Sequence, residues 1–533
     1  MSKITISKPD RRWLFYGVGF HNSEATMLNI MNDKFKNEIA LKTFNEISPT
    51  YTRVFAGFHN WTKEAMDSFC DYYDKTFRKK GTLVYMVPGR MPIITDDFDI
   101  DDYAEKVACN LEYLVKERNC TKLRYYCATN ELSMGNTYAY LSDKLDLFKK
   151  IHASLYKAFS LHNLDIALMA TDSSGVDKFH HVKWASENMD EITQCYCAHL
   201  YSDKYKPGDL EAYSFYYDNF SMLVSWAHKK EKRFILGEYG IIKEADQGKV
   251  MPMRKDVCYS EDVKENENLY AIAVLEMAMS AINAGVMSAV FWTMFDYPDP
   301  FIREDGDTKE EKARYDVARF SGHGLDIRYN KHGLIRWNDE ENDYSSRASL
   351  YTMGYLARLF KKGSRVMKCD WDDEYIRASS VTNPDNTVSI AIINWKDEEQ
   401  KVSISLEHKC DKPLRCYKYN AYNVPYNNFN DLQPYSEIID AKNGEFEIKL
   451  DKMSVCFLTT DYVDRTPSDI RRIKYKKGKL SWKKSRDEEH SYYRVYLNGE
   501  QIASTVAEYL YTDKKGDFKV LSVDKYGNSK EVI

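Results

Sequence analysis

The chain has 533 residues, with 76 Lys and Arg against 81 Asp and Glu, a formal net charge of −5. That length exceeds what one hydrophobic core usually supports, so one large domain and one or two smaller ones are expected. The composition, 43% hydrophobic and 29% charged residues, is that of a soluble globular protein. Its mildly acidic balance argues against a nucleic-acid partner, which would need a clustered basic surface.

The N-terminus and the cysteines indicate the compartment. Residues 1–12 contain charged residues and no apolar core, so we expect no secretory signal, and no stretch reaches the ~18 apolar residues of a membrane span. The 11 cysteines are scattered, several in apolar runs, which favours free thiols over a disulfide framework. Cys195 and Cys197 lack a second pair at zinc-site spacing, so no metal site is predicted. These features predict a cytoplasmic protein without a membrane partner.

Up to residue 296, short apolar runs bounded by turn residues alternate with stretches of helical period, the pattern of repeated β-α units. Eight such runs occur: Trp13 to Phe20, Tyr51 to Ala56, Thr82 to Val87, Lys122 to Asn130, Asp165 to Ala170, Thr193 to Tyr201, Arg233 to Tyr239 and Val286 to Phe295. Eight units of this size fit a (β/α)8 barrel, which typically needs ~250 residues.

The stretches between the runs support this architecture. Leu145 to Phe159 places apolar residues at three- and four-residue spacing, as an amphipathic helix does. Leu269 to Ala284 is apolar nearly all round and is followed by Gly285, which is typical of a buried helix and its C-cap. From 296 to 346 the chain is polar and rich in charge and Gly, which predicts a functional loop or a subdomain. Ser346 to Phe360 is predicted as the last barrel helix.

Short alternating strands follow residue 364: Val388 to Asn394, Lys401 to Leu406, Glu445 to Leu450 and Ser454 to Thr459. They predict a β-sandwich. From Val463 onward the chain has 16 Lys and Arg against 11 Asp and Glu, a net of +5. We therefore divide the chain into a barrel over 1–363, a β-sandwich over 364–462 and a third domain over 463–533.

The third domain resembles a fibronectin type III module. The resemblance is carried by KLSW ending at Trp482, followed by YYRVYLNGEQIAS and FKVLSVDKYGN. It implies a second, smaller β-sandwich in which Trp482 packs between two sheets.

Reactive side chains in a (β/α)8 barrel lie at the carboxyl ends of the strands. Asn130 and Glu131 come at the end of the fourth apolar run, and Glu238 lies in LGEYG at the end of the seventh. Because side chains alternate along a strand, we expect Glu238 to share a face with Leu236 and Phe234 and to point to the barrel mouth. Two carboxylates on nearly opposite sides of one cavity are the arrangement that glycoside hydrolysis requires.

Other strand ends supply partners for these carboxylates. Arg53 lies in the second run, and a guanidinium close to Glu238 would keep that carboxylate ionised and oriented. Trp292, in the eighth run, comes near the mouth, where an indole could form the floor under a sugar ring.

The sixth run has its own pattern. The period of two puts Cys195, Cys197, His199 and Tyr201 on one face of the strand. If that face points inward, the cysteines fill the barrel interior while His199 and Tyr201 reach the rim.

Together these residues resemble the retaining glycoside hydrolases of clan A, which place the acid/base on strand four and the nucleophile on strand seven. The resemblance covers about residues 10 to 460 and is carried by Arg53, Asn130, Glu131, His199, Tyr201, Glu238 within LGEYG and Trp292 within FWT. A β-sandwich after the barrel also occurs in several families of this clan. The fit is loosest at the third strand, where VPGR, ending at Arg90, lacks a His that some members have there.

The resemblance implies a role for each residue. Glu131 would be the acid/base and Glu238 the nucleophile of a double displacement with net retention. Tyr201 and Arg53 would hold the nucleophile, and Asn130 would hydrogen-bond the sugar 2-hydroxyl.

Further residues are assigned to substrate binding. His199 would contact the substrate at the rim, and Trp292 would line the subsite before the scissile bond. Clan members commonly have a non-proline cis peptide after that Trp, which makes the Trp292–Thr293 bond a candidate. Four more residues near strand ends are held only as candidate substrate contacts: His21, Asn22, Asp172 and Asp296.

The predicted activity is that of an exo-acting β-glycosidase on oligosaccharides or small glycosides. A cytoplasmic location favours such substrates, and the stretch from Pro298 to Tyr344 is long enough to wall off one end of the cleft. An α-L-arabinofuranosidase of the same clan, or a carbohydrate-binding protein without turnover, are the alternatives. An acyl-transfer hydrolase is disfavoured because the chain has no G-x-S-x-G elbow in its strand-turn-helix context.

The double displacement by two glutamates needs no metal or organic cofactor. The sugar, the linkage and a homo-oligomeric state are undetermined. The C-terminal module could bind glycan, mediate self-association or only shield the barrel.

Overall fold

The computed structural model describes most of the chain. The described residues are 2–22, 32–56, 61–88, 98–132, 141, 144–202, 211–241, 267–300, 327–330, 333–338, 343–408, 410, 412–441 and 443–530.

Eight parallel strands, hydrogen-bonded in chain order, close into a barrel. Their bounds are Val18–His21, Tyr51–Ala56, Leu83–Pro88, Leu123–Cys127, Ala167–Ser174, Cys195–Ser202, Arg233–Ile241 and Ser288–Phe291. Each one falls on one of the eight predicted apolar runs. The predicted barrel is therefore confirmed, and below we number these strands one to eight.

The barrel interior is a packed core with no open channel through the described strands. Inward side chains of the strands form one buried cluster, in which aromatic and sulfur-containing residues predominate: Tyr51, Leu83, Tyr85, Val87, Cys127, Met169, Cys195, Cys197, Ile235, Met287 and Val290. Filling a barrel with layers of side chains from its strands is the normal solution for eight strands. This cluster forms the floor on which the polar side chains of the mouth lie.

Helices cover the outside of the barrel. Those of seven or more residues are Leu41–Ile47, Lys63–Lys75, Ile100–Glu112, Leu145–Leu161, His180–Asn188, Glu211–His228, Glu267–Asn283 and Leu350–Leu359. Shorter helical turns are Phe35–Ala40, Phe77–Lys80, Tyr113–Glu117, Val176–Lys178 and Asp190–Ile192. Side chains cap two helix starts, because Thr62 accepts from Ala65 N and Asp99 from the N–H groups of Asp101 and Asp102.

Two of the predicted helices are confirmed both in their position along the chain and in their pattern of burial. Leu145–Leu161 buries one face, and Glu267–Asn283 is buried from Tyr270 to Ile282. Among the helices of the described segments, none has the length and apolarity to cross a bilayer.

The polar stretch after strand eight contains secondary structure. Tyr297–Pro300 pairs with Ile327–Asn330, and Ile335–Asn338 pairs with Asp343–Ser346, both antiparallel. This favours the subdomain interpretation of the stretch over a plain loop. Residues 301–326, which make up most of the predicted cleft wall, lie outside the described residues.

A nine-stranded sheet forms the second unit. Its strands, in spatial order, are Glu437–Ile439, Leu414–Asn420, Ser454–Thr459, Val388–Asn394, Ile376–Thr382, Ser364–Trp371, Ser2–Phe15, Gln400–Leu406 and Glu445–Leu450. Apolar residues from both ends of this order, such as Cys416 and Ile448, belong to one buried cluster. The sheet therefore folds over on itself, and the predicted β-sandwich is confirmed.

The N-terminal strand belongs to this sheet and not to the barrel. Ser2–Phe15 runs antiparallel to Ser364–Trp371 and parallel to Gln400–Leu406. The assignment of all residues from 1 to 363 to the barrel was wrong in this respect, and the first barrel strand begins at Val18 instead of Trp13. The residue pattern within one strand does not determine which distant strand of a sheet it will pair with.

Two three-stranded sheets form the third unit. One contains Lys474–Lys476, Lys479–Ser481 and Tyr509–Tyr511, and the other contains Glu500–Thr505, His490–Leu497 and Phe518–Asp524. Trp482 is buried between them, with its ring centroid 5.4 Å from that of Tyr493 on the opposite sheet.

Candidate active site

Glu238 reaches the barrel mouth because strand seven contains a bulge. Ala198 of strand six pairs with Leu236, but His199 already pairs with Glu238, so Gly237 is an extra residue. Leu236 packs in the outer core under the helices, whereas Glu238 contacts inward side chains.

The expectation that Glu238 shares a face with Leu236 and Phe234 was therefore wrong. Both of those side chains point outward, and the inserted residue reverses the alternation before Glu238. Gly237 suits this place because it has no side chain. A Cβ there would lie 2.7 Å from Asp172 Oδ1 and 3.0 Å from His199 Nε2.

The carboxylate of Glu238 is held from two sides. Arg53 Nη1 donates to Oε1, and the Tyr201 hydroxyl donates to Oε2 at 2.6 Å. Burial raises the pKa of Glu238, while the charges of His199 and Arg53 and the Tyr201 hydroxyl act against that rise. The predicted contact between Arg53 and Glu238 is present.

Arg53 organises a wider part of the site. Its guanidinium is completely buried, and Nη2 donates to Asn130 Oδ1 at 2.7 Å and to Asp172 Oδ2 at 2.9 Å. Because Oδ1 of Asn130 accepts from the arginine, the amide nitrogen is the end of that side chain left for another acceptor.

His199 lies between three carboxylates. Its Nδ1 is 3.1 Å from Glu131 Oε1 and 3.6 Å from Glu238 Oε2, and its Nε2 is 2.8 Å from Asp172 Oδ1. Burial alone would lower the pKa of His199, but Asp172 and Glu238 outweigh it and raise the pKa to about 10. His199 is therefore a second cation of the site, beside Arg53.

Asp172 is the residue whose position sequence reasoning misjudged. It was held as a candidate substrate contact, yet it is completely buried beneath the mouth, where the Tyr85 hydroxyl donates to it at 2.6 Å. Burial opposes ionisation, but His199 and Arg53 hold the pKa of Asp172 well below its usual range. One signal was available: Asp172 lies two residues past the apolar run that ends at Ala170, and an acidic residue there needs a cation if the strand end is buried.

The two glutamates face each other across the mouth. A carboxylate oxygen of Glu131 lies within 4.8 Å of one of Glu238, and His199 Nδ1 is within the same distance of both. The side chain of Glu131 is 16% exposed and that of Glu238 5%. The more accessible carboxylate is therefore the one at the end of strand four.

A group of aromatic rings packs beside Arg53, the residue that contacts Glu238. The Trp292 ring centroid lies 4.3 Å from that of His21 and 5.5 Å from that of Phe55, and the Arg53 guanidinium lies 4.9 Å from the centroid of Phe55. The peptide bond between Trp292 and Thr293 is cis, as predicted. Phe55 was not among the predicted residues, although it lies two positions after Arg53 in strand two.

Two of the remaining candidate contacts have protein partners. Asn22 donates to Thr52 Oγ1 at 2.6 Å. Asp296 binds Arg347 with both oxygens, at 2.8 and 2.9 Å, and accepts from Gly333 N. These bonds are consistent with structural roles for both side chains.

Donor atoms for a cation also occur here. Glu131, His199 and Glu238 offer three within 4.8 Å of one another, and so do the buried Cys127, Asp172 and Cys197. In the first group, however, Arg53 already neutralises Glu238, and a charged His199 repels a further cation. The arrangement is better suited to proton transfer and nucleophilic attack by carboxylates than to metal binding.

Comparisons with known proteins show which solved structures share the fold of this chain. No protein-family model matches the chain, and no curated protein matches it either. Among solved structures, the chain is similar to a subfamily 8 xylanase of glycoside hydrolase family 30 from Clostridium acetobutylicum, with a TM-score of 0.51 and 15% identity over 86% of this chain and 98% of that one.

Two further structures give the same result. An α-L-arabinofuranosidase from Thermotoga maritima has a TM-score of 0.57 and 12% identity, with 86% of this chain and 100% of that one covered. An endo-β1,6-glucanase has a TM-score of 0.53 and 14% identity, with 86% and 94% covered. At such identities the likeness shows a shared fold, a barrel with an added β-sandwich.

Proposed function

We propose that this protein is a retaining glycoside hydrolase in which Glu238 is the nucleophile and Glu131 the acid/base. The observation that carries the proposal is the pair of facing carboxylates, with oxygens within 4.8 Å of each other and Glu238 fixed by Arg53 and Tyr201. Retaining enzymes have carboxyl groups ~5 to 5.5 Å apart, while inverting enzymes need ~6.5 to 9.5 Å to admit a water. The fold shared with glycoside hydrolases supports the same class.

The reaction would proceed in two displacements. In the first, a Glu238 oxygen attacks the anomeric carbon while protonated Glu131 donates its proton to the leaving oxygen. In the second, Glu131 takes a proton from water, and that water releases the sugar from Glu238 with net retention. The greater exposure of Glu131 suits this exchange with solvent.

The surrounding residues would bind and orient the sugar. The amide nitrogen of Asn130, whose oxygen accepts from Arg53, would donate to the sugar 2-hydroxyl. His199 would hold Glu131 through the 3.1 Å contact, and Trp292 would form an apolar wall for the ring before the scissile bond.

We further propose an exo-acting β-glycosidase on small glycosides or oligosaccharides, working in the cytoplasm. The proposal of exo action rests on the sequence alone, because most of the proposed cleft wall lies outside the described residues. Release of only monosaccharide from longer oligomers would support exo action, and mid-chain products would contradict it. An α-L-arabinofuranosidase remains the alternative within the same mechanism.

The third unit would be a fibronectin type III-like module. Its two three-stranded sheets around Trp482 support this assignment. Buried hydrogen bonds from the barrel, such as Asn45 to Ser491 O, favour a fixed accessory domain.

Chemical rescue tests the proposed roles of the two glutamates separately. Purified protein is incubated with a panel of aryl glycosides, including α-L-arabinofuranosides. Glu131→Ala is expected to keep activity only on substrates with good leaving groups, and azide should yield a glycosyl azide of retained configuration. Glu238→Ala is expected to lose turnover, and azide should yield the inverted product.

A matched control keeps the result specific. Glu187→Ala changes an exposed glutamate on the outer helix His180–Asn188 and should leave turnover unchanged. Sugar binding without turnover by the wild type would instead support the carbohydrate-binding alternative. Turnover by Glu238→Ala equal to that of the wild type would contradict the proposal.

A further inference from the structure

A second cluster of polar side chains lies on the outside of the barrel. Glu105, Cys109 and Glu112 are four and three residues apart on the helix Ile100–Glu112, so they share one face. His162, the C-cap of the following helix, lies between the two carboxylates. Its Nε2 is 2.9 Å from Glu105 Oε1, and its Nδ1 is 2.7 Å from Glu112 Oε2.

Three of these side chains bring sulfur, nitrogen and oxygen donors together. Cys109 Sγ is 3.7 Å from Glu105 Oε1, and one donor atom each from Glu105, Cys109 and His162 lie within 4.8 Å of one another. A tetrahedral zinc, with bonds of ~2.0 to 2.3 Å, requires donor separations of about 3.3 to 3.8 Å. Because Glu105 and Cys109 are exposed, their side chains can move to bring the donor atoms to the separations that zinc requires.

Glu112 has a different position in the cluster. It engages Nδ1 of His162, and Lys116 Nζ lies 2.7 Å from its other oxygen. This leaves the Nε2 atom of His162 directed at Glu105. Histidines that bind metals almost always donate their other N–H to a carboxylate or carbonyl, which fixes the ring.

The charges allow a divalent ion to enter. The cluster holds two carboxylates, Glu105 and Glu112, against one ammonium group, that of Lys116, with the His162 imidazole between the carboxylates. A divalent ion would bind the Cys109 thiolate and an unprotonated Nε2 atom of His162, so its binding releases protons while the carboxylates balance part of its charge.

We propose that Glu105, Cys109 and His162 form a binding site for zinc, with Glu112 orienting the imidazole and water as the fourth ligand. The mixed sulfur, nitrogen and oxygen set matches the borderline-soft divalent cations. The ion would join the two helices on either side of strand four, and the site shares no residue with the proposed catalytic centre.

Cobalt provides a direct probe of the site. Full-length protein is stripped with a chelator, desalted and titrated with Co²⁺, and Zn²⁺ is then added. We expect one Co²⁺ per chain, a thiolate-to-cobalt charge-transfer band with the intense visible bands of tetrahedral cobalt, and loss of both on adding Zn²⁺. Cys109→Ser should abolish the charge-transfer band, whereas Cys369→Ser, at a half-buried thiol of the β-sandwich, should keep it.

A second variant tests the orienting carboxylate. Glu112→Gln keeps all three ligands, yet it is expected to weaken Zn²⁺ affinity about tenfold or more. Zn²⁺ binding should also release protons, among them the thiol proton of Cys109, measured with a pH indicator in weakly buffered solution. A charge-transfer band that persists in Cys109→Ser, or the absence of saturable Zn²⁺ binding, would overturn the proposal.

Discussion

Asp172 sets the charge balance beneath the proposed catalytic pair. It contacts both cations of the site, Arg53 at 2.9 Å and His199 at 2.8 Å. Together with Glu131 and Glu238 it gives three carboxylates against two cations. One carboxyl proton makes this cluster neutral, and that is the protonation state from which the proposed reaction starts.

Asp172→Asn is expected to destabilise the fold, because His199 and Arg53 lose a buried partner. Breaking a buried pair costs about 3 to 5 kcal/mol. The charged His199 contributes stability in full below its ordinary pKa of 6.5, and that contribution is lost as the pH rises through about 10. The difference in unfolding free energy between wild type and variant should therefore shrink between pH 7 and pH 10, measured by urea denaturation.

Asp177→Asn is the control for this change, since Asp177 is exposed five residues further on. It should leave stability unchanged at every pH. A wild-type to Asp172→Asn difference that stays constant up to pH 10.5 would show that a charged His199 is not its source.

For single residues, the sequence predicted which side chains come together at the barrel mouth but not which side chain lies beneath them. Arg53, Asn130, His199 and Tyr201 all join the network around the two glutamates, because their strand ends identify them. The buried role of Asp172 depends on contacts across the barrel, which the period of a single strand does not contain.

The bulge at Gly237 is the feature of a single strand on which the site depends most. It turns Glu238 inward at the point where regular alternation would turn it outward. A glycine within a strand is a known sign of a bulge or a close backbone approach. Eight strands could be predicted from apolar runs, whereas a one-residue change of register could not be predicted from alternation.

Gly237→Ala is expected to displace Glu238, because the new Cβ would lie 2.7 Å from a carboxylate oxygen of Asp172. A displacement of about 1 Å at a reacting group can cost ~100-fold in rate. We therefore expect kcat/KM on an aryl glycoside to fall by about that factor.

Gly354→Ala is the matched control, because the three atoms nearest to its Cβ would be side-chain methyl groups, the closest at 3.2 Å. It should retain kcat/KM close to that of the wild type. If Gly237→Ala did the same, the bulge would not be what positions Glu238.

The three units of the molecule meet at one buried ionic junction. Lys42 of the barrel is fully buried and contacts Glu46 at 2.7 Å and Asp431 of the β-sandwich at 2.6 Å. Arg494 of the third unit contacts the same aspartate at 2.9 Å. Asp431 is therefore a common partner of two cations from two different units.

Asp431→Ala is expected to lower stability by about 3 to 5 kcal/mol, because the buried Lys42 keeps only Glu46 of its two carboxylate partners and Arg494 loses a contact. Calorimetry should show a lower melting temperature, and limited proteolysis should cut the chain sooner near residue 463. Asp469→Ala, which removes an exposed pair with Lys530, should change neither result. Equal melting temperatures for Asp431→Ala and the wild type would contradict a stabilising junction.

The order of the units could be predicted from the change in pattern along the chain, but their contacts could not. Ser2–Phe15 pairs with strands that begin only at Ser364 and Gln400, and the junction joins Lys42 and Arg494 to Asp431. Such pairings depend on the assembled shape, while apolar period and turn residues report only on neighbouring sequence.

Mass spectrometry of a trapped intermediate tests the central claim, that Glu238 attacks the sugar. The protein is treated with the 2-deoxy-2-fluoro analogue of an aryl glycoside that it hydrolyses, digested, and its peptides are sequenced. The mechanism predicts one added sugar per chain, on Glu238 and absent from Glu238→Gln. A sugar on another residue, or complete hydrolysis of substrates with inverted products and no label, would contradict it.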